Sequence, residues 1–167
     1  TGERFDNLDI ETQPPAVVRA QAALARMRPP NGRYIPVHDT WAAGGGSVVG
    51  ESKPDLLGGL GQGILGFGEG PGAVQVDMTW SPGYGHIHYD GLALLVFAQG
   101  KELLSDLGYT HTRSREWTIQ SPSHNLVVVD HANQTAGKET QGNLRYFGVT
   151  PDVQVMSVDN PQVYPGV

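Results

Sequence analysis

No apolar stretch of this chain runs far before a turn residue interrupts it. Ile64-Leu65-Gly66-Phe67, Ala73 to Met78, Leu92 to Ala98, Glu102-Leu103-Leu104, Leu126 to Val129 and Val153 to Met156 are all short. Between them lie Glu69-Gly70-Pro71-Gly72, Gln99-Gly100-Lys101 and Ala136-Gly137-Lys138. Apolar runs of this length bounded by glycine and proline read as strands rather than helices. Six such runs with no helix between them imply a mainly β fold, an antiparallel meander or sandwich. The chain has 167 residues, 23 of them glycine and 12 proline, a length that suits one domain with a real core.

One short N-terminal helix is expected. Thr12 can cap it, Pro14 and Pro15 suit its first turn, and Val17, Ala20, Leu24 and Met27 share a face. Pro29-Pro30-Asn31-Gly32 ends it. Residues 31–56 read as irregular, with Gly44-Gly45-Gly46 as a flexible loop. The organisation expected is a connector over 1–55, with one helix and irregular loops, followed by a sheet domain over 56–167. The Thr-Gly-Glu-Arg start and the Tyr-Pro-Gly-Val end read as those of a piece of a longer protein, its sheet cut at the C-terminal end.

Composition excludes several classes. A formal net charge of -6 with no Lys/Arg block argues against a nucleic-acid partner, although Arg113, Arg115, Lys138 and Arg145 can form a local basic patch. The absence of cysteine removes disulfides and thiolate metal sites. No apolar run reaches the roughly 18 residues of a membrane span, so no membrane partner is expected. Gly61-Gln62-Gly63-Ile64-Leu65-Gly66 matches a dinucleotide fingerprint literally, but Gly68, Gly70, Pro71 and Gly72 follow where a helix would have to start. It reads as strand and turn glycines. Asn133-Gln134-Thr135 is a formal glycosylation triplet.

The residues with the most chemistry are His86, His88, Asp106 and His124. Imidazole, carboxylate and imidazole can supply a zinc site made of nitrogen and oxygen ligands. On an extended segment His86 and His88 project to the same side. Asp106 lies 18 residues after His88 (106 minus 88), and His124 lies 18 after Asp106 (124 minus 106). A two-residue turn at Gln99-Gly100 pairs Asp106 with about Ala93. That leaves it roughly 16 Å from His88 at about 3.3 Å per residue. To meet at one ion, Tyr89-Asp90-Gly91 must bend back toward Asp106. Spacing alone fits equally a loop carrying His86 and His88, a turn aspartate and a strand-end histidine.

From about Leu56 to Gln134 the chain resembles the heparinase II/III-like polysaccharide lyases, which include several alginate lyases. Four elements carry the resemblance in order: Gly85-His86-Ile87-His88-Tyr89-Asp90-Gly91-Leu92, Gly100 to Tyr109, Ser123-His124-Asn125-Leu126-Val127-Val128-Val129-Asp130, and Gln134. Ile87 departs from the glycine common at that place. The resemblance implies a fragment of an α/α toroid plus antiparallel β-sheet enzyme, with the active site in the cleft between the two. It implies zinc held by His88, Asp106 and His124, His86 on the catalytic side, and Tyr109 with Arg113 or Arg115 lining the cleft toward substrate. The implied activity is cleavage of a uronic-acid-containing polysaccharide by β-elimination. The implied partners are that acidic polysaccharide and the toroid domain, which would carry the principal Tyr and His acid–base residues, so the piece alone should be inactive. A periplasmic or secreted location follows from the resemblance only. Two rival readings stand beside it: a non-catalytic, zinc-stabilised carbohydrate-binding or structural module, and a metal-dependent hydrolase using the same residues.

Overall fold

A computed structural model describes residues 14–42, 51–83 and 85–167. Helix α1 (Pro15–Arg26) begins where Pro15 occupies the first turn, a position whose missing N–H costs nothing. Pro14 takes the capping position and its carbonyl accepts from Val17 and Val18. Thr12, the expected cap, lies outside the described residues, as does the triglycine loop. The helix closes at Met27, whose N–H still reaches the Ala23 carbonyl, just before Pro29-Pro30 forbid another turn.

Five strands follow: β1 (Asp55–Leu57), β2 (Gln62–Phe67), β3 (Val74–Thr79), β4 (Leu94–Ala98) and β5 (Lys101–Leu104). They form one antiparallel sheet in sequence order, the expected meander. The β4–β5 hairpin turns on two residues, Gln99 and Gly100, both at positive φ (54° and 71°), so its twist matches that of the strands. Val96 pairs with Leu104 while Phe97 pairs with Glu102, which leaves Leu103 as a bulge. A second hairpin, β6 (Asn143–Val149) and β7 (Gln154–Asp159), forms a two-stranded sheet.

The two faces of the larger sheet are covered differently. Ile64, Asp77 and Leu95 are in register across β2, β3 and β4. Ile64 and Leu95 bury themselves with Ile35 from the connector, and Met27 and Val37 pack against this cluster. The opposite face meets β7, whose Met156 sulfur takes the space a Cβ at Gly63 would fill, while at the β2 edge the Gln154 side-chain amide donates to the Gly66 carbonyl and accepts the Gly66 N–H, each at 2.8 Å. The connector and the second hairpin thus hold the sheet from both sides.

One expected strand needs correction. Leu126 to Val129 is not a strand: Val127 is 78 % exposed, and the segment leaves the sheet after a single bond from the Leu94 N–H to the Asn125 carbonyl. The strands β1, at the end of the stretch expected to be irregular, and β6, and a one-turn helix α2 (Arg115–Thr118), went unanticipated. The glycine fingerprint resolves as expected, into a turn at Gly61 (φ 73°) and strand β2.

Gly108 (φ 57°) is where the connector joins the sheet edge. It bridges to Trp41, the Tyr109 N–H donates to the Thr40 carbonyl, and a Cβ at Gly108 would collide with that carbonyl and with Pro36. Gly108→Ala is therefore expected to cost about 1–3 kcal/mol through backbone strain and steric conflict, read as a lowered midpoint of chemical unfolding.

Candidate metal centre

His88, Asp106 and His124 each offer a ligand atom, and these atoms lie within 4.8 Å of one another. All three residues are buried. The bend that this requires is present, but Leu92, not Gly91, takes the positive φ (64°). The Ala93 N–H closes the turn on the Asp90 carbonyl at 3.1 Å, and the Leu92 N–H bonds the Thr79 carbonyl at 2.8 Å. Gly91 serves space instead: a Cβ there would press on the Gln134 side chain and Val163.

Each ligand is fixed by a different local device. Asp106 follows β5 directly, and its Oδ1 accepts the Gly108 N–H at 2.9 Å in an aspartate turn. His124 follows the short turn Ser121–Ser123, whose Ser121 is fully buried. Ser121 Oγ donates to the Tyr89 carbonyl at 2.8 Å and accepts the Gln134 N–H at 2.9 Å, tying the three motif segments together. Gln134 Nε2 in turn donates to the Gly91 carbonyl. Asn133 Oδ1 accepts the Ser121 N–H at 3.0 Å, so the formal glycosylation asparagine has a structural task.

A carboxylate can only accept, so its partners identify which imidazole nitrogens carry hydrogen. His88 Nε2 donates to Asp39 Oδ1 at 2.9 Å, and His124 Nδ1 donates to Asp106 Oδ2 at 2.5 Å. The remaining nitrogens, His88 Nδ1 and His124 Nε2, are buried without a hydrogen-bond partner. Two bare buried nitrogens are costly, and a cation is a chemically suitable partner for such atoms. Burial pushes the His88 imidazole below its ordinary pKa, against the pull of Asp39, which keeps it in the neutral form that ligates metal. The donor set fits a divalent ion.

Asp39 was not anticipated. It accepts from His88, from His86 Nδ1 at 3.0 Å, and from both Arg115 nitrogens at 2.6 and 2.8 Å. Burial works to raise this carboxyl, but the bonds from Arg115, His88 and His86 outweigh it and bring it down to about 2. A second pair joins the same segment to the sheet: His38 Nδ1 lies 2.7 Å from Asp90 Oδ1, and the His38 N–H donates to Asp90 Oδ2. The adjacent ligand-type residues His38-Asp39 were the available signal, in a stretch with no periodicity to give it weight.

The other candidates divide. His86 is held by Asp39 yet its side chain is 88 % exposed. Tyr109 stacks at 4.6 Å on Trp41, and the Arg115 guanidinium sits 4.9 Å over the Tyr109 ring. His86, Tyr109 and Arg115 thus belong to one surface beside the metal ligands. Arg113 is exposed and forms no ion pair among the described residues.

Comparison with known proteins places this geometry. The model of the heparinase II/III-like C-terminal domain matches residues 62–159. An alginate lyase from Stenotrophomonas maltophilia (strain K279a) is 27 % identical over 114 residues, covering 58 % of this chain and 15 % of that protein. A crystal structure of the heparan sulfate lyase HepC from Pedobacter heparinus superposes with a TM-score of 0.73 at 17 % identity, over 89 % of this chain and 29 % of the other. A heparinase III structure gives a TM-score of 0.73 at 16 % identity, covering 88 % and 28 %. The chain spans less than a third of each of these proteins. With more than half of its residues matched by the family model, the chain belongs to the heparinase II/III-like family, in the C-terminal domain of that family.

Proposed function

We propose that this chain is the metal-bearing sheet portion of a polysaccharide lyase that cleaves a uronic-acid-containing polysaccharide by β-elimination. The observation that carries the reading is that His88, Asp106 and His124, all buried, bring one ligand atom each within 4.8 Å of one another, beside the surface that holds His86 and Tyr109. Zinc suits this nitrogen and oxygen donor set. Bound there, the ion supplies positive charge and ties the three loop segments into one rigid edge.

The chain's own residues suit elimination. The reaction removes the C5 proton beside the sugar carboxylate and expels the 4-linked sugar. A cation must therefore neutralise the carboxylate, and a base and an acid must flank the ring. His86 is exposed and can exchange a proton at Nε2, because Nδ1 is held by Asp39. Tyr109 lies on the same surface, with the Arg115 guanidinium over its ring. Arg115 commits two nitrogens to Asp39 and presents its remaining edge. The partner surface, with further acid–base groups, belongs to a toroid domain of the parent protein. A periplasmic or secreted setting accords with a polymer substrate.

The test is to incubate the full-length enzyme with alginate, heparan sulfate and other acidic glycans while following the absorbance of the new unsaturated sugar end. His86→Ala is expected to lower the rate about 10²–10⁴-fold, the range for loss of a proton-transfer group. Saturated products would favour a metal-dependent hydrolase, and no product from any acidic glycan would favour a binding module.

A further inference from the structure

We propose that Asp39 is the positioning residue of this site, fixing His88 for the metal and His86 for the substrate through one carboxylate. The inference rests on the metal reading above. Asp39 lies in the connector, 49 residues before His88 and 76 before Arg115, so its three partners reach it only through the fold. Its side chain is 4 % exposed, and both oxygens are engaged: Oδ1 takes His88 and Arg115, and Oδ2 takes His86 and Arg115.

The consequence for His88 is a matter of tautomer. Because the carboxylate can only accept, it keeps hydrogen on His88 Nε2 and leaves Nδ1 bare, in a ring whose centroid lies 5.2 Å from that of His124. A carboxylate behind a ligating imidazole fixes the ring's orientation and raises its basicity, and losing such a partner typically weakens metal binding about 10–100-fold. For His86 the same carboxylate holds Nδ1–H, so the exposed Nε2 is the nitrogen that faces solvent. Arg115 balances the charge and carries the link to Tyr109.

Asp39 itself is held by its neighbours in sequence. His38 is pinned to Asp90 by its backbone N–H and its ring, and Thr40 and Trp41 pair with Tyr109 and Gly108. The connector therefore places the carboxylate rigidly between metal ligand and cleft.

The test uses the full-length protein. Zinc affinity is measured by competition with a chromophoric chelator, and long-range nitrogen–proton spectra of the zinc-free protein report the His88 tautomer. Asp39→Ala is expected to weaken zinc about 10–100-fold and to abolish the preference of His88 for hydrogen on Nε2. Asp39→Asn, which keeps an accepting oxygen, should recover part of both. Arg115→Ala, which leaves the Asp39–His88 bond, should change zinc affinity far less than Asp39→Ala. Unfolding curves of the zinc-free variants separate local from global effects. Zinc affinity and tautomer both unchanged in Asp39→Ala would overturn the role of Asp39. A wild-type protein that fixes the His88 tautomer but binds no zinc would instead overturn the metal reading and leave Asp39 as the positioning group for both histidines.

Discussion

Replacing His124 with alanine is expected to take bound zinc from about one ion per chain to background, measured by elemental analysis of the purified protein. The wild-type expectation of one ion follows from a single buried cluster among the described residues with three protein donors, the number common to zinc centres with an open position. The size of the loss follows from what each partner does. Losing a group behind a ligand typically costs about 10–100-fold in affinity, so losing a ligand itself should cost more. In His124→Ala the Asp106 carboxylate loses its imidazole partner and the ring packed 5.2 Å from His88 is gone. The variant should also unfold more readily with zinc present than the wild type does, because binding to the native state alone adds stability. Without metal the two should lie closer together. Metal retained by His124→Ala would show that the ion sits elsewhere. A metal-free wild type would turn the cluster into a hydrogen-bonded strut of the sheet edge and favour the structural-module reading.

The parts of this architecture that the sequence reveals are those governed by local rules. β2, β3, β4 and β5 carry apolar runs between glycine turns, and Gln99-Gly100 is a hairpin turn that only its own backbone needs to satisfy. Leu126 to Val129 has the same composition and is no strand. Its β-branched residues have no edge to pair with once Asn125 leaves Leu94, and its tip carries positive φ at Asp130 and His131. Conversely β6, Asn-Leu-Arg-Tyr-Phe-Gly-Val, mixes polar and apolar residues because the hairpin is largely exposed on one side. His88, Asp106 and His124 were legible as candidate ligand types, and their meeting depended on a bend that the sequence permits without requiring. Asp39 was hidden for a different reason. All its partners are 47 to 76 residues away, and no pattern within the connector marks a carboxylate that the fold will bury.

Asp77 was hidden in the same way, and it yields the second large effect. Asp77 lies in the middle of β3, in register between Ile64 and Leu95, and is 3 % exposed. Its only side-chain support among the described residues is Gln75 Nε2, which donates to both carboxylate oxygens at 3.1 and 3.2 Å. Burial dominates that support and pushes the carboxyl from its ordinary 3.8 up to about 7. The native state therefore holds a proton that the unfolded chain releases near pH 4. Between about pH 4 and pH 7 the native state binds more protons than the unfolded state, so stability falls as pH rises and levels off above about 7. The rise in pKa corresponds to about 4 kcal/mol at the plateau. Asp77→Asn keeps the size of the side chain and an oxygen for Gln75 while removing the ionisation. Urea unfolding at pH 5 and pH 8 should show the variant gaining about 3 kcal/mol on the wild type between the two, the part of the effect that lies above pH 5. The cost at neutral pH is borne by the strand under the connector, the segment that carries Asp39. If the two proteins instead keep the same separation at both pH values, Asp77 does not titrate in this range, and burial at the centre of β3 is relieved by a group that the Gln75 contact does not account for.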